Sequence, residues 1–281
     1  MEQVKVLILG HGFVGEYLAE LLAKNCVSYA ATTRNGRNAT IKWQFSSTDT
    51  ADFSALPAAS FVVVMFPVNG STDVDHLCRG YTTYHQTLHS NYKQPRWIFL
   101  GSTRAFTQIP STKFTPPDTN GGPRMDAETH AIDKYNACVL NLVGLWGGAR
   151  CPRGWARFYT KDRLRSRLNN RSLHLVHGAD VARAILEVVR DGTINGRWLV
   201  SDQRVYDMLQ IVVCDGRVRG LLSELLEDKD VQAILRATRV EDVELGPKYV
   251  TRRIDSSHFW DRAGIQPHYI YALDQPDPHA I

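Results

Sequence analysis

Apolar residues in the first half of the chain form short runs, and between several of these runs apolar positions recur every three or four residues. The runs lie at residues 4–9, 27–33, 41–45, 61–66, 96–100 and 137–142. Runs of this length without regular polar alternation are typical of parallel strands buried on both faces. The three-to-four spacing covers residues 14–24 and 73–90 and predicts amphipathic helices there. Strands that alternate with helices predict an α/β fold with a doubly wound parallel sheet and helices on both faces.

The pattern changes after residue 150, where strand-like runs become shorter and helical patterns dominate. Residues 173–177 and 196–200 are predicted strands, Asp180 could cap a helix, and two helical patterns fill residues 218–237. A last unit covers residues 249–271. We therefore predict one domain over residues 1–150 and a smaller C-terminal part over residues 151–281, which also completes the sheet.

Three histidines lie off the apolar stripe of the predicted helix over residues 73–90. They are His76, His85 and His89. Because the apolar stripe of such a helix faces the core, these three side chains are predicted to face solvent.

The first strand runs directly into a glycine-rich turn with the spacing G-x-G-x-x-G, which a helix follows. Gly10 allows the tight turn, Gly12 lets the backbone approach a pyrophosphate, and Gly15 lets the helix pack closely on the strand. The free amides at the helix N-terminus favour phosphate. This turn predicts a Rossmann dinucleotide-binding domain, with cofactor contacts at Gly10, Gly12, Phe13, Val14 and Gly15. A glycine-rich turn without a ligand would show the same pattern.

The residues after the second strand bear on which dinucleotide binds. An acidic residue about twenty positions after the glycines suits the ribose hydroxyls of NAD, whereas a basic one suits the 2′-phosphate of NADP. Here Thr33 and Arg34 occupy the place, with Arg37 nearby, so NADP is predicted and NAD is less favoured. A solvated turn residue is the alternative for Arg34. The turn at Phe66 and Pro67 is predicted beside the cofactor, and the polar loop over residues 46–52 could edge the adenine.

Composition limits the classes of protein to consider. With 281 residues, 43% hydrophobic and 22% charged residues and a net charge of +4, the chain is ordinary for a globular protein and is not an obligate nucleic-acid binder. No apolar run is long enough to cross a bilayer, and the first strand begins without a charged leader, so a cytoplasmic location is expected.

No metal site is expected, because no His/Cys cluster has zinc spacing. The cysteines are odd in number and far apart, which predicts free thiols at Cys26, Cys78, Cys138, Cys151 and Cys214.

Residues 150–171 hold eight basic side chains and one acid, Asp162, with Trp155, Phe158 and Tyr159 among them. Basic residues interleaved with aromatics are found in nucleic-acid sites. In a chain of otherwise balanced charge we interpret the run instead as a solvated helix, or as a rim that favours an anionic or electron-rich substrate.

Several separated segments resemble one family in the same order. The glycine turn at residues 10–15, Ser102 with residues 103–106, residues 140–150 and residues 177–182 are similar to motifs of the extended or atypical short-chain dehydrogenase/reductases, the superfamily of NAD(P)-dependent epimerases and dehydratases. The resemblance implies a nicotinamide cofactor and places Ser102 at the catalytic Ser/Thr position. It also implies that the C-terminal part closes the substrate pocket.

The chain lacks the residue pair that supplies the general acid in this family. A Tyr-x-x-x-Lys pair supplies the proton donor in the family, some two dozen residues after the serine, and no such pair occurs anywhere here. Tyr135, His130 and Arg124 are the nearest residues that could replace it. Side chains on a helix surface are the alternative for all three.

These observations predict an NADP-dependent oxidoreductase that acts on a small organic molecule. Without a positioned acid, an imine, iminium or conjugated enone is expected rather than a plain ketone. A redox-neutral cyclase, isomerase or dehydratase, or an NADP-sensing regulator without catalysis, remains as an alternative. The expected partner is a small-molecule substrate, with a homodimer left open and neither nucleic acid nor membrane expected.

Overall fold

The computed structural model describes residues 3–46, 52–118, 121–237 and 250–272. Strands and helices alternate through the first 150 residues, as the sequence pattern predicts. In chain order the elements are β1 (Val4–Leu9), α1 (Phe13–Lys24), β2 (Tyr29–Thr33), β3 (Ile41–Lys42), β4 (Ala59–Val64), α2 (Gly70–Leu88), β5 (Arg96–Ser102), α3 (Gly122–Tyr135), β6 (Cys138–Leu142), β7 (Gly144–Trp146), α4 (Lys161–Arg167), β8 (Ser172–Leu173), β9 (Leu175–His177), α5 (Gly178–Asp191), β10 (Gly196–Val200), β11 (Tyr206–Asp207), α6 (Met208–Val212), α7 (Gly216–Leu225), α8 (Lys229–Ala237) and α9 (Ser257–Ala263).

The main sheet has seven strands in the order β10-β6-β5-β4-β1-β2-β3, and every neighbouring pair is parallel. From β1 the chain builds outward in one direction through β2 and β3, and then in the other through β4, β5 and β6. The strand order therefore reverses beside β1, and in such sheets the crevice at the carboxyl ends of the strands is where ligands bind. The predicted doubly wound α/β sheet is confirmed.

Successive side chains of β1 enter two different cores. Val6 and Ile8 pack in a cluster with α1, α5 and α9, whereas Leu7 and Leu9 pack in a second cluster with α2 and α3. All four side chains are fully buried. Burial on both faces explains why the strand has no polar alternation.

The C-terminal part contributes β10 to the main sheet. It also forms two small additional sheets, one from its own strands β11 and β8 and one in which its β9 pairs with β7 of the first 150 residues. Residues 173–177, which the sequence predicts as one strand, are divided between β8 and β9 by His174. The imidazole Nε2 of His174 accepts a hydrogen bond from the amide of Ile254 at 3.1 Å. This bond ties the last described segment to the small sheets.

The His-x-x-Asp segment at the start of α5 anchors the chain end. The Nδ1 atom of His177 accepts from the amide of Ala179 and caps the helix. The fully buried carboxylate of Asp180 accepts from the amides of His268 and Tyr269 at 2.8 to 3.0 Å. The segment thus has a structural role that its sequence did not reveal.

Two local predictions need correction or limitation. His85, predicted to face solvent, is buried against Tyr81, with ring centroids 4.5 Å apart. The third strand ends at Lys42 rather than at residue 45. Residues 47–51 of the loop predicted to lie beside the adenine are outside the described residues, as is residue 249.

Among the helices that the structure describes, none is long and apolar enough to cross a membrane.

Candidate functional site

A cleft with a volume of 440 Å³ opens at the carboxyl ends of the central strands. It is formed by the turn between β1 and α1, the segment after β4, the end of β5, the first turn of α3 and the segments after β6. The lining residues are Gly10, Gly12, Phe13, Val14, Gly15, Met65, Pro67, Leu100, Gly101, Ser102, Arg124, Leu142, Val143, Leu145 and Arg150.

The turn between β1 and α1 requires glycine at its first position. Gly10 has φ = +94°, in the left-handed region that disfavours other residues. Its amide donates to the hydroxyl of Thr32 at 3.0 Å, and the next amide, that of His11, donates to the Thr32 carbonyl at 2.7 Å. Thr32 therefore fixes the turn, a role that the sequence analysis missed.

The turn leaves room and hydrogen-bond donors for a phosphate. A Cβ atom added to Gly12 would meet no described atom nearer than 4.0 Å. No side chain caps α1, and no described residue accepts from the amides of Phe13, Val14 and Gly15. Free amides at a helix N-terminus bind anions, so this turn fits the pyrophosphate of a dinucleotide.

The two residues predicted to select the cofactor differ in exposure. Thr33 is buried and its hydroxyl is within 2.6 Å of the Thr40 hydroxyl. Arg34 follows β2 directly, is exposed, and pairs with no described residue. Its guanidinium is therefore available to a ligand, and neither Arg34 nor Thr33 is among the residues that line the cleft.

Phe66 and Pro67, the two residues after β4 that are predicted beside the cofactor, differ in position. Pro67 lines the cleft. Phe66 lies outside the lining, where its ring stacks on Phe45 with centroids 5.9 Å apart. Phe66 thus supports the wall next to Gly10 instead of facing the cavity.

Ser102, the predicted catalytic serine, is the last residue of β5 and lines the cleft. Its hydroxyl oxygen accepts from the amide of Arg104 at 3.3 Å and so caps the following turn. A hydroxyl that accepts one bond still has its own hydrogen to donate. The turn-capping role and a role toward a ligand are therefore compatible.

Behind Ser102 lies a buried carboxylate that the sequence analysis did not identify. Glu128 accepts from the Ser102 amide at 3.2 Å, from the Asn141 amide group at 2.6 Å and from Arg197 at 2.7 Å. A Cβ atom on Gly101 would lie 2.7 Å from the Glu128 carboxylate and would displace the Glu128 and Asn141 side chains from this position. The network fixes the backbone at the end of β5.

Arg124 connects this network to the cleft. It lies one helical turn before Glu128, with its Nε 3.4 Å from the carboxylate, and its Nη2 donates to the Leu100 carbonyl at 2.9 Å. Arg124 and Glu128 have the four-residue spacing of the Tyr-x-x-x-Lys pair that this chain lacks, two dozen residues or so after Ser102. That spacing was the available sequence signal for both residues.

The other two predicted acids, Tyr135 and His130, do not line the cleft. Both lie at the contact of α2 and α3, where they bind the carboxylate of Asp75 at 2.7 and 2.8 Å, and Lys134 binds the same carboxylate at 2.7 Å. Burial opposes ionisation of Asp75, but these donors outweigh it and hold its pKa well below the usual range. Burial and Asp75 raise the pKa of Tyr135. The structure thus places these two residues in a contact between helices.

Three of the eight cations in the basic run at residues 150–171 are paired with carboxylates of the same chain. Lys161 binds Glu224 at 3.0 Å, Arg165 binds Asp228 at 2.6 Å, and Arg171 binds Asp207. Arg150 lines the cleft, with its guanidinium 4.3 Å from the centroid of the Phe13 ring.

Within the described ranges, no three His, Cys, Asp or Glu side chains form a group that could hold a metal ion.

No protein-family model matches the sequence, and no curated protein sequence matches it. Several solved structures are similar to this one. UDP-N-acetylglucosamine 4-epimerase from Bacillus cereus matches with a TM-score of 0.60 and 12% identity, over 95% of this chain and 94% of that chain. Yeast methylglyoxal/isovaleraldehyde reductase Gre2 complexed with NADPH matches with a TM-score of 0.57 and 14% identity, over 95% and 94%. The Bordetella bronchiseptica enzyme WbmG in complex with NAD and UDP matches with a TM-score of 0.60 and 14% identity, over 96% and 92%.

Identities of 12 to 14% over nearly complete chains are informative about fold. They confirm the resemblance noted in the sequence at the level of fold: this chain has the Rossmann-like α/β fold of these enzymes.

Proposed function

We propose that the protein is an NADP-dependent oxidoreductase that reduces a conjugated enone. The observation that carries this proposal is the composition of one cleft, in which the open glycine turn and the free amides of α1 meet Ser102. The turn would hold the pyrophosphate, and Ser102 would donate to the oxygen of the substrate. Similar folds bind NADPH in the yeast reductase and NAD in WbmG, which supports a nicotinamide cofactor here.

The preference for NADP rests on Arg34. Its exposed guanidinium follows β2, the strand next to β1, and can pair with a 2′-phosphate through two N–H groups. No acid occupies the place that would bind the ribose hydroxyls of NAD.

Calorimetric titration of wild type and Arg34→Ala with NADP⁺ and NAD⁺ tests this preference. We expect NADP⁺ to bind wild type more tightly by tenfold or more, and the difference to be lost in Arg34→Ala. Arg219→Ala is the matched control, because Arg219 is also exposed and lies on α7, away from the cleft lining. Equal affinities of wild type for the two cofactors would contradict the proposal.

Among the imine, iminium and enone substrates that the missing acid favours, the charges of the cleft support an enone over an iminium. The charged side chains in its lining are Arg124 and Arg150, and no described carboxylate lines it. A cationic iminium would be repelled there, whereas a neutral enone gains a negative charge on oxygen as it is reduced.

When bound, NADPH would supply the hydride. As hydride adds to the β carbon of the enone, the C=C electron pair would form the double bond of an enolate and the C=O electron pair would move onto the oxygen. The α carbon of the enolate would then take a proton from water. Ser102 would donate a hydrogen bond to that oxygen as its charge develops. Removing one such donor typically lowers the rate by about a hundredfold or more.

Oxidation of NADPH with a panel of enones, cyclic iminium ions and simple ketones tests the reaction. We expect turnover with enones and a kcat about a hundredfold lower in Ser102→Ala, with unchanged NADP⁺ affinity. Conversion of substrate without NADPH consumption would instead indicate redox-neutral catalysis. NADP⁺ binding without any turnover would indicate a regulator.

A further inference from the structure

Arg124 faces the same cleft as Ser102, yet the hydride step described above does not use it. Its side chain is 36% exposed and lines the cavity. Leu100, Leu142 and Val143 contribute apolar surface to the same lining. An ionic hydrogen bond is stronger in such surroundings than in water.

The buried network behind Arg124 leaves a positive charge unbalanced. Glu128 is its carboxylate, and the two cations are Arg197 at 2.7 Å and Arg124 at 3.4 Å. Arg197 is the closer and the more buried of the two, with 13% of its side chain exposed. The charge of Glu128 is therefore balanced mainly by Arg197, and Arg124 presents its charge to the cleft.

The guanidinium of Arg124 also retains hydrogen-bond donors. Its Nη2 uses one hydrogen on the Leu100 carbonyl, and its Nε points to Glu128. No described residue accepts from Nη1. Nη1 and the second hydrogen of Nη2 are thus available as a fork, and this fork matches the two oxygens of a carboxylate.

We propose that Arg124 is a substrate-binding residue that pairs with a carboxylate, so that the substrate of this cleft is an anionic organic acid. This assignment rests on the proposed function for the place of the substrate, but the binding of the acid does not require turnover. Glu128 and Leu100 hold the guanidinium in place before the ligand arrives. An arginine stays protonated, so Arg124 cannot replace the missing acid and acts by charge and orientation.

A matched pair of ligands tests the assignment. Acetylacrylate is an enone with a carboxylate, and its methyl ester has the same enone without the charge. Each is titrated by calorimetry into protein saturated with NADP⁺, for wild type, Arg124→Gln, Arg124→Lys and the control Arg219→Gln. We expect wild type and Arg219→Gln to bind the acid at least tenfold more tightly than the ester.

In Arg124→Gln the acid should lose this advantage, and in Arg124→Lys it should retain part of it, because lysine keeps the charge but not the fork. Circular dichroism and NADP⁺ affinity check that each variant is folded. Equal binding of acid and ester to wild type, absence of binding by either, or an unchanged preference in Arg124→Gln would each overturn the proposal.

The same two ligands, assayed also for NADPH oxidation, separate this assignment from the proposed reaction. Acid-specific binding that depends on Arg124, without NADPH oxidation, would support the carboxylate site and contradict the oxidoreductase. NADPH oxidation with acid and ester at equal kcat/KM, unaffected by Arg124→Gln, would do the reverse.

Discussion

Glu128 shows how one buried charge determines the position of a site residue. Its side chain is 6% exposed and both oxygens have partners, from Arg197, Asn141 and the Ser102 amide. A buried carboxylate is tolerated only when it is paired and its oxygens accept hydrogen bonds. Because one partner is the amide of Ser102, the network that stabilises the charge also fixes the end of β5.

We expect Glu128→Gln to lower the free energy of unfolding by about 3 kcal/mol or more, because Arg197 would remain buried without its counter-charge. Urea denaturation at pH 7 measures this loss. Glu20→Gln is the control, since Glu20 is 64% exposed and its pair with Lys24 should contribute little to stability. Equal stabilities of the two variants would contradict this account of Glu128.

The sequence indicates the part of the cleft that depends on a local motif. Gly10 and Ser102 could be singled out because each lies directly after a strand, and the structure places both on the cleft. The contact of Glu128 with Arg197 could not be predicted, since it joins α3 to β10 across 69 positions of the chain. A contact of that kind has no periodicity and no signature in a single sequence.

The contact of α2 and α3 explains why the nearest tyrosine and histidine do not replace the missing acid. Asp75 on α2 draws Tyr135, His130 and Lys134 of α3 to one carboxylate. The bonds orient these side chains along the helix contact, and none of them lines the cleft. Their sequence distance from Ser102 was therefore a poor guide to their place in the fold.

We expect Tyr135→Phe and His130→Ala each to lower the free energy of unfolding by about 1 kcal/mol, since each loses one hydrogen bond to a charged group. Cofactor affinity and turnover should stay unchanged. Thermal denaturation and steady-state kinetics measure the two effects. A tenfold loss of kcat in either variant, with an altered acid limb of the pH profile, would place the proton donor at this contact after all.

Among the strands and helices too, features set by a local apolar pattern could be predicted, whereas features set by contacts distant in sequence could not. The long apolar runs predict β1, β4 and β5 well, because a strand buried on both faces needs apolar residues throughout. The run at residues 173–177 does not reveal that it belongs to two sheets, which depends on the pairing of β8 with β11. The burial of His85 likewise depends on Tyr92, whose ring lies 5.2 Å away beyond the end of α2.

The last described segment ties the C-terminal part to the main sheet. Arg252 donates to the Phe106 carbonyl at 2.7 Å and to the Thr103 carbonyl, just after β5. Two residues later, the Ile254 amide donates to His174. His174 must be neutral to accept this bond, and burial, together with Arg252 and Arg253, lowers its pKa to about 4.

This makes His174 a source of acid sensitivity. Its pKa in the folded protein lies below the ordinary value of 6.5, so the stability it contributes is complete above pH 6.5 and is lost as the pH falls toward 4. The loss should reach up to about 3 kcal/mol at pH 4. Asp202 acts in the opposite direction, because burial raises its pKa to about 6. The difference in unfolding free energy between wild type and His174→Gln, measured from pH 7 to pH 4, isolates the histidine, and a constant difference would contradict its role.

The distribution of charge over the molecule also bears on nucleic acid. The net charge is only +4, and Lys161, Arg165 and Arg171 of the basic run are paired with carboxylates of the same chain. A cation that already has a partner contributes little to the release of counterions that drives binding to phosphate backbones. The pairing of these three cations leaves the run with less free charge than its eight basic residues suggest.

We expect no saturable binding to double- or single-stranded DNA or RNA below about 100 µM protein at physiological salt, at the weak end of nonspecific affinities. Fluorescence anisotropy with labelled oligonucleotides measures this. The double variant Glu224→Gln, Asp228→Asn frees Lys161 and Arg165 and should bind more tightly, with a steeper dependence on salt. Submicromolar, strongly salt-dependent binding by wild type would contradict this expectation, and the interpretation of the run as a partly neutralised surface would be wrong.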